Sequence, residues 1–414
     1  MVSSDDASRG RTARVVLACL ALAAGVVILF VANQRFVAAS PGGNDFLVHW
    51  VGTRALLFEK LSPYSDTVAM KIQTLAYGRP AQPGEHELRV AYPLYSIVVF
   101  APFAMVADYA LDRSLWMTVL EIALLGLALA GLRLARWRPS LPVAAAYLLF
   151  AVTWYHGVRP LVNGNAVIVV ALLIALAVLA LRAGHDGLAG ALLAVSTIKP
   201  QVVLLLVLFV GVWAVATRRR RLVVGFVGTL TALLALSLAL LPSWPAEFLR
   251  EVIRYPAYNP PGTLGTALEA ILPGIGARLG WGVALVLGVV LLVEWRRALG
   301  QAPARFEWAV YFTLAVSCWI GIQTDPGNFV VLLVPLAAIL ASTASAVRRG
   351  GEVVALAVMV VLHAGLWTIF VSTLVRGPQP VQGPAMFIPL PFVVLAGLFA
   401  YRRRMVAANE VDNR

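Results

Sequence analysis

Residues 187–216 read GLAGALLAVSTIKPQVVLLLVLFVGVWAVA, an apolar run that is interrupted by the pair Lys199-Pro200. About 20 helical residues cross a bilayer, so this run is too long for one untilted span. Proline removes a backbone donor and clashes with the preceding turn, and a lysine at mid-membrane costs at least about 2.5–3.5 kcal/mol. We therefore predict two short spans that meet at Lys199-Pro200, with the lysine at a membrane surface.

The composition of the whole chain indicates that lipid surrounds most of it. Of the 414 residues, 60% are hydrophobic and 13% are charged, against about 25% charged in a soluble protein. A soluble fold of this length cannot bury so much apolar surface. The net charge of +13 comes mostly from arginines that punctuate the apolar runs, which is typical of cytoplasmic loops and gives no reason to expect nucleic acid as a partner.

Ten further apolar stretches approach the length of a span, and together with the broken pair they predict an all-α polytopic membrane protein with about 12 transmembrane helices. The segment 92–107 is interrupted by Pro93 and Pro102, so we interpret it as an interfacial or re-entrant piece. The stretches are 14–33, 113–133, 141–156, 165–182, 222–241, 278–293, 306–323, 329–346, 353–373 and 385–400.

The arginine clusters fix the predicted orientation. With these 12 spans every cluster lies on one side of the membrane, as the positive-inside rule requires, and both termini are cytoplasmic. The first span is then a retained signal anchor, and the longest outer loop is 34–111. Spanning by 92–107, or a single crossing by 187–216, would place several clusters outside. The clusters are Arg9/Arg11/Arg14, Arg133/Arg136/Arg138, Arg182, Arg218 to Arg221, Arg296/Arg297, Arg348/Arg349 and Arg402 to Arg404.

Asp45 is the first residue in the outer loop that suggests chemistry. It is followed by the apolar and aromatic run 46–50. A carboxylate just above a bilayer, beside aromatic rings, can have the raised basicity that a general base needs. An aspartate at the start of an apolar segment is also a common helix N-cap. The position alone leaves both interpretations open.

Three other polar positions lie at the outer ends of predicted spans. Lys199 can hold a phosphate group or extend along apolar surface to the membrane boundary. The segments 163–165 (Asn-Gly-Asn) and 324–328 (Thr-Asp-Pro-Gly-Asn) are either binding elements or ordinary turns. Glu121 lies inside the second span with no obvious partner, and its role stays open.

Several short motifs follow one another in a characteristic order between about residues 44 and 335. This order resembles family 87 of the glycosyltransferases, within the GT-C superfamily, whose members are polytopic enzymes that use polyprenyl-phosphate sugars, typically mannose. The family's Tyr-Pro-Pro has leucine at its third position here, and its Gly-Gln-x-Asn lacks the second polar residue at position 167. The motifs are Asn44-Asp45-Phe46, Ser62-Pro63-Tyr64, Tyr92-Pro93-Leu94-Tyr95, Ala101-Pro102-Phe103, Asn163-Gly164-Asn165, Ala189-Gly190 and Ile198-Lys199-Pro200-Gln201.

The resemblance implies roles for particular residues. An acidic residue in the first outer loop is the family's catalytic base, and Asp45 matches it. The lysine-proline motif matches Lys199-Pro200, beside the donor phosphate, where Arg89, Arg159 or Arg376 would add positive charge. We expect the substrates to be bound by Tyr64, Arg89, Tyr92, Arg159, Asn163, Asn165, Lys199, Gln201, Asp325 and Asn328.

The resemblance also implies an activity. It predicts a single GT-C-like catalytic domain over 14–403, between cytoplasmic tails 1–13 and 404–414, with interfacial helices in the outer loop. The enzyme would transfer a hexose, mannose above all, from a polyprenyl-phosphate donor to a lipid or glycan acceptor at the outer face. One candidate carboxylate predicts inversion in one step, and the absence of a paired acidic motif near Asp45 predicts no metal or other cofactor. The Ala/Arg/Val-rich, Lys-poor composition indicates a bacterial plasma membrane.

Two other classes of protein remain open at this point. One is a transporter or flippase of a lipid-linked saccharide, and the other is a non-enzymatic scaffold in envelope assembly. A transporter favours repeated halves with matching broken helices, whereas this sequence shows one broken pair. The long outer loop with an acid near the membrane favours an enzyme over both.

Overall fold

The computed structural model describes residues 4–40, 42–259, 262–300, 303–320, 325–347, 349–375 and 382–411. Over these residues the chain is helical, and no β-strand occurs among them, which confirms the all-α prediction. The α-helices of this part are α1 Ser4–Ala39, α2 Asn44–Arg54, α3 Asp66–Tyr77, α4 Ile97–Ala104, α5 Tyr109–Leu134, α6 Leu141–Thr153, α7 Tyr155–Asn163, α8 Val167–Arg182, α9 Asp186–Ser196, α10 Pro200–Ala216, α11 Arg220–Leu240, α12 Trp244–Tyr258, α13 Leu264–Ile271, α14 Gly276–Ala298, α15 Pro303–Ile320, α16 Leu333–Ala346, α17 Gly351–Thr373 and α18 Pro389–Val411.

Seven helical segments of the described residues are long and apolar enough to cross a membrane, so the chain is a multi-pass membrane protein. They are α1, α5, α11, α14, α17, the segment Pro326–Ala346 that ends in α16, and the segment Pro384–Arg404 that includes most of α18. Helices α6 and α7 pass the same test as a pair bent by 45°. Helices α8, α9 and α10 are apolar but shorter, so the count of 12 spans stays a prediction.

The break at Lys199-Pro200 is present as predicted. Helix α9 ends at Ser196, and α10 begins with Pro200 at its first position, where a missing N–H costs nothing. The Lys199 side chain is 3% exposed. It is therefore enclosed by protein, so the snorkelling alternative is wrong, while its place at a membrane surface stays a prediction.

Helix α1 extends beyond the predicted end of the first span at residue 33. The Asn33 side chain is buried and donates through Nδ2 to Glu121 Oε2 at 2.9 Å and to Thr118 Oγ1 at 3.1 Å. Asn33 suggested the end of the first span, but its side chain is hydrogen-bonded between α1 and α5. The sequence did not reveal this because Thr118 and Glu121 are remote along the chain. The contact also gives Glu121 a partner, between α1 and α5.

The predicted outer loop folds into helices, and its bounds shift to 40–108 because α1 ends at Ala39 and α5 begins at Tyr109. It contains α2, a π-helical turn Ala55–Glu59, α3, a 3₁₀ turn Leu94–Ser96 and α4. Helix α4 has eight residues with a proline inside, too few to cross a bilayer. The segment 92–107 is therefore not a complete span, as predicted.

Helix α12 packs against this segment through polar contacts. Glu251 is 2% exposed and accepts from Arg89 Nε at 2.8 Å, while Glu87 accepts from Arg254 Nη2 at 2.6 Å. Arg89 also contacts the Asp66 carboxylate at the start of α3. Since a buried guanidinium must be paired, these contacts fix the position of α12 over the segment.

Helices α9 and α11 cross at very close range. A Cβ atom added at Gly190 would lie far inside contact distance of the Leu222 carbonyl oxygen and the Phe226 amide nitrogen. Small residues allow two membrane helices to bring their backbones together in this way. Gly190 therefore fixes the position of α9, the helix that leads into Lys199.

The predicted topology can be tested by cysteine labelling of intact cells. In a variant that lacks Cys19 and Cys318, single cysteines at Ser243 and Gly383 should react with a membrane-impermeant maleimide from outside. Cysteines at Thr217 and Gly350 should react only after the membrane is opened. Protection of position 243 in intact cells would overturn the 12-span arrangement.

Candidate active site

Four side chains from four separate segments form one hydrogen-bonded chain. Asn165 donates through Nδ2 to Asp45 Oδ2 at 2.6 Å. The Lys199 ammonium donates to Asn165 Oδ1 at 2.6 Å and to the Tyr92 hydroxyl at 2.8 Å. The first turn of α2 and the segments that precede α4, α8 and α10 therefore meet at this point. All four residues were predicted site residues, and the structure brings them together.

The orientation of the Asn165 amide follows from its partners. Its oxygen accepts from the Lys199 ammonium and from the Val167 backbone N–H at 2.9 Å. Both partners are donors, so the NH₂ group must face the remaining neighbour, the Asp45 carboxylate. Asn165 is 5% exposed. It thus couples the acid and the ammonium through a fixed, buried amide.

Asp45 is not the N-cap of its helix. Gly43 occupies that position, and no side chain caps the helix. The capping interpretation is therefore wrong, and the carboxylate is available to Asn165. Burial raises the pKa of Asp45 above its ordinary value, as does the nearby charge of Asp325, whereas Lys199, Arg159 and the Asn165 hydrogen bond lower it. The result is a carboxylate with a raised pKa.

A second acid lies close enough to influence the first. Asp325 Oδ2 accepts from Arg159 Nη2 at 3.1 Å, and Asp325 Oδ1 accepts from the Gly327 backbone N–H at 2.5 Å. Burial by itself raises the pKa of Asp325, but Arg159 and the Gly327 N–H bring it below its ordinary value. The sequence suggested a lone carboxylate because residues 45 and 325 are remote along the chain.

Acidic, histidine and cysteine side chains form no group of three or more that could hold a metal ion in the described part of the chain.

Aromatic side chains pack around the first two turns of α2, the helix that carries Asp45. Phe46 stacks on Trp116, with ring centroids 5.6 Å apart. His49 lies parallel to Phe100 at 4.1 Å and meets the edge of Tyr92 at 4.2 Å. Burial and the charge of Lys199 lower the pKa of His49 to about 3. His49 is therefore a neutral aromatic neighbour and does not compete with Asp45 for a proton.

Helix α5 holds the two segments that lead into Asp45 and Asn165. Arg113 is 1% exposed and donates through Nη1 to the Ser40 carbonyl at 2.8 Å and through Nη2 to the Val162 carbonyl at 3.3 Å. One guanidinium thus joins the chain before Asp45 to the chain before Asn165. Guanidinium forks fix geometry well because their donors are rigid.

Two more residues on the same face of α5 bind backbone carbonyls of these two segments. The Tyr109 hydroxyl lies 3.0 Å from the carbonyl oxygens of Gly42 and Gly43, and Trp116 Nε1 donates to the Gly164 carbonyl at 2.8 Å. Tyr109, Arg113 and Trp116 follow the i, i+4, i+7 spacing of one helix face. That spacing was visible in the sequence, but the targets are backbone carbonyls, which no sequence motif reveals.

The remaining predicted residues lie at different places. Tyr64 is buried and its hydroxyl donates to the Tyr92 carbonyl at 2.8 Å, so it holds the backbone of a site residue. Arg89 is held by Glu251 and Asp66 and does not join the Asp45 group. Asn163 ends α7, Gln201 lies in the first turn of α10, and Asn328 is buried in the 3₁₀ turn after Asp325. Arg376, Arg348 and Thr324 lie outside the described residues.

Residues 91–320 match the model of glycosyltransferase family 87, which is more than half of the chain. The chain belongs to glycosyltransferase family 87. It is therefore a membrane glycosyltransferase, which answers the transporter and scaffold alternatives at the level of the family. No curated protein and no solved structure is significantly similar to it.

The family match covers only part of the site. Tyr92, Asn165 and Lys199 lie inside the matched range, whereas Asp45 and Asp325 lie outside it. The two acids therefore meet the matched range only in the folded structure, Asp45 by its hydrogen bond from Asn165 and Asp325 by its proximity to Lys199.

Gly164 sets the position of Asn165, and this can be tested with a matched control. Gly164 and Gly184 both have left-handed backbones, with φ of 72° and 75°. An added Cβ would lie 2.5 Å from Phe46 Cβ at Gly164 but would meet nothing within 4 Å at Gly184. We expect Gly184→Ala to lower the free energy of unfolding by about 1–2 kcal/mol and Gly164→Ala to cost about 1–3 kcal/mol more.

Thermal unfolding of both purified variants in detergent measures this difference. The Gly164→Ala variant should also lose transfer activity, because Asn165 moves with it, while the Gly184→Ala variant should keep its activity. Equal losses of stability would show that Phe46 does not confine the Gly164 loop.

Proposed function

We propose that this enzyme transfers a hexose, mannose in the first instance, from a polyprenyl-phosphate donor to a lipid or glycan acceptor on the outer face of the membrane. The hydrogen-bonded chain Asp45–Asn165–Lys199 supports the proposal most strongly. It joins a carboxylate of raised pKa to a buried ammonium, the two charges that the reaction needs. The choice of mannose and of a polyprenyl phosphate rests on the family resemblance.

Asp45 would act as the general base. Asn165 occupies Asp45 Oδ2, which leaves Oδ1 to receive the proton of the acceptor hydroxyl. The acceptor oxygen attacks the anomeric carbon as the bond from that carbon to the phosphate oxygen breaks. A positioned base of this kind contributes about 10²–10⁴-fold to the rate.

Lys199 would stabilise the leaving polyprenyl phosphate. An ammonium has three N–H donors, and two of them are used by Asn165 and Tyr92. The third is available for a phosphate oxygen, which gains negative charge as the sugar departs. A donor held in place before the reaction acts on that charge without reorganising, which is the most effective form of electrostatic catalysis.

The second acid does not alter the expected stereochemistry. Both oxygens of Asp325 are engaged, one by Arg159 and one by the Gly327 N–H. A carboxylate committed in this way is poorly placed to attack the anomeric carbon, so we retain inversion in one step. Asp325 and Arg159 would instead bind hydroxyls of the transferred sugar.

The Lys199→Met variant tests the phosphate role and the charge coupling together. Losing one charge-assisted contact costs about 1.5–3 kcal/mol, so transfer from the phosphate donor should fall at least about tenfold. Lys199 also lowers the pKa of Asp45. Without it that pKa rises, and since the base works deprotonated, the acid limb of kcat/KM should move to higher pH.

The matched control is Lys71→Met, which removes a half-exposed lysine on α3 that pairs with Glu59. Its kinetics and pH profile should resemble the wild type. An unchanged acid limb and donor KM in Lys199→Met would remove Lys199 from the mechanism.

The Asp45→Asn variant separates catalysis from binding. Asparagine keeps the shape and can accept a hydrogen bond from Asn165, but it cannot take a proton. The protein should fold and bind donor as before, while transfer of labelled mannose from polyprenyl-phosphate-mannose falls by about 10²-fold or more. Transfer at nearly the wild-type rate would disprove the role of Asp45 and leave Asp325 as the next candidate.

Asp108→Asn provides the control for this experiment. Asp108 caps α5 by accepting from the Leu111 N–H at 2.7 Å, and asparagine caps a helix about as well. The same substitution in the same segment should therefore leave both stability and transfer unchanged.

A further inference from the structure

A small cavity lies between helix α2 and the segment that carries Tyr92. Its volume is about 20 Å³, and it is lined by residues of α2, of 63–64 and of 90–97. A cavity needs about 10–15 Å³ to hold one water molecule, whereas pockets for small-molecule ligands measure about 300–1,000 Å³. This cavity therefore has room for a water molecule but not for a sugar.

Three polar side chains line the cavity and are almost completely buried. His49 is 5%, Thr53 is 7% and Ser96 is 6% exposed. Within the described part of the chain, neither the His49 ring nitrogens nor the two hydroxyls take part in a hydrogen bond. A buried polar group without a hydrogen bond costs free energy, and few such groups occur in native proteins. These three side chains therefore require a partner that is not a protein group.

The three groups offer the donors and acceptors that one water molecule needs. The lowered pKa of His49 keeps its ring neutral, with one N–H donor and one acceptor nitrogen, and each hydroxyl can both donate and accept. A buried water typically makes about three hydrogen bonds to such groups. One water molecule can thus satisfy His49, Thr53 and Ser96 together.

The elements on the two sides of the cavity both carry residues of the candidate active site. Asp45 lies one helical turn before His49 on α2, and Tyr92 lies four residues before Ser96. The Tyr92 hydroxyl accepts from the Lys199 ammonium at 2.8 Å. A bridge across the cavity therefore acts on the position of Asp45 relative to Lys199.

We propose that this cavity binds one ordered water molecule, which hydrogen-bonds to His49, Thr53 and Ser96 and thereby holds the helix of Asp45 to the segment of Tyr92. Thr53 and Ser96 are then positioning residues. The alternative is a dry cavity with unpaired hydroxyls. The two cases predict opposite changes in stability, because removing an unpaired buried hydroxyl is favourable, whereas removing a partner of a bound water is not. The proposal does not depend on Asp45 being the base.

The Thr53→Val variant of the purified full-length protein tests the proposal, since valine keeps the shape and removes the hydroxyl. Its unfolding temperature in detergent should fall by about 2 °C. At a temperature where all variants are folded, kcat/KM for sugar transfer should fall by about tenfold, because small displacements of catalytic groups are costly. The Thr53→Ser variant keeps the hydroxyl and should transfer at nearly the wild-type rate.

A second hydroxyl shows whether one ligand is shared. Once the water is lost, the remaining hydroxyl has no partner to lose, so the double variant Thr53→Val/Ser96→Ala should unfold at about the temperature of either single variant. The matched control is Thr343→Val. Thr343 is also 7% exposed, and its hydroxyl donates to the Ile339 carbonyl at 2.9 Å within α16. Its effect should add to that of Ser96→Ala and leave transfer unchanged.

Three results would overturn the proposal. A higher unfolding temperature in Thr53→Val would show that the cavity is dry. Additive losses of stability from Thr53→Val and Ser96→Ala would show that the two hydroxyls share no ligand. Unchanged transfer in Thr53→Val would remove the positioning role.

Discussion

The buried ammonium of Lys199 is the constraint on which the rest of this site depends. A positive charge inside a membrane protein is costly unless it is paired and hydrogen-bonded. The fold meets this requirement with the Asn165 amide, the Tyr92 hydroxyl and the nearby charges of two acids. Each partner comes from a different segment, so satisfying one lysine also assembles the site.

The broken helices make this arrangement possible. The break between α9 and α10 places Lys199 outside regular helix, and the bend between α6 and α7 brings Arg159 and Asn163 toward the same region. Non-helical backbone in a membrane protein is tolerated where protein or a cavity surrounds it. Two interruptions were present where the sequence suggested one. We attribute this to the second, at Trp154, having no proline or charge to mark it.

Helix α5 contacts several of the segments on which the site depends. Its N-terminal turns bind carbonyls in the segments before Asp45 and Asn165, and its middle accepts hydrogen bonds from Asn33 through Glu121 and Thr118. At its C-terminal end, Arg182 donates to the Arg133 and Leu134 carbonyls and pairs with Glu307. One long helix thus fixes the geometry at both ends, because a helix transmits position rigidly along its length.

The sequence by itself determined the membrane class, the helical fold, the break at Lys199-Pro200 and the family. Each of these follows from local properties: apolar length, a proline beside a charge, and short motifs in order. It also identified Asp45, Asn165, Tyr92 and Lys199 as separate candidates. Only the tertiary structure decided that they touch, that Asp45 is not a cap, that Arg89 is held by Glu251, and that Asp325 lies near Asp45. These facts depend on contacts between residues tens to hundreds of positions apart, and no local pattern in a single sequence carries them.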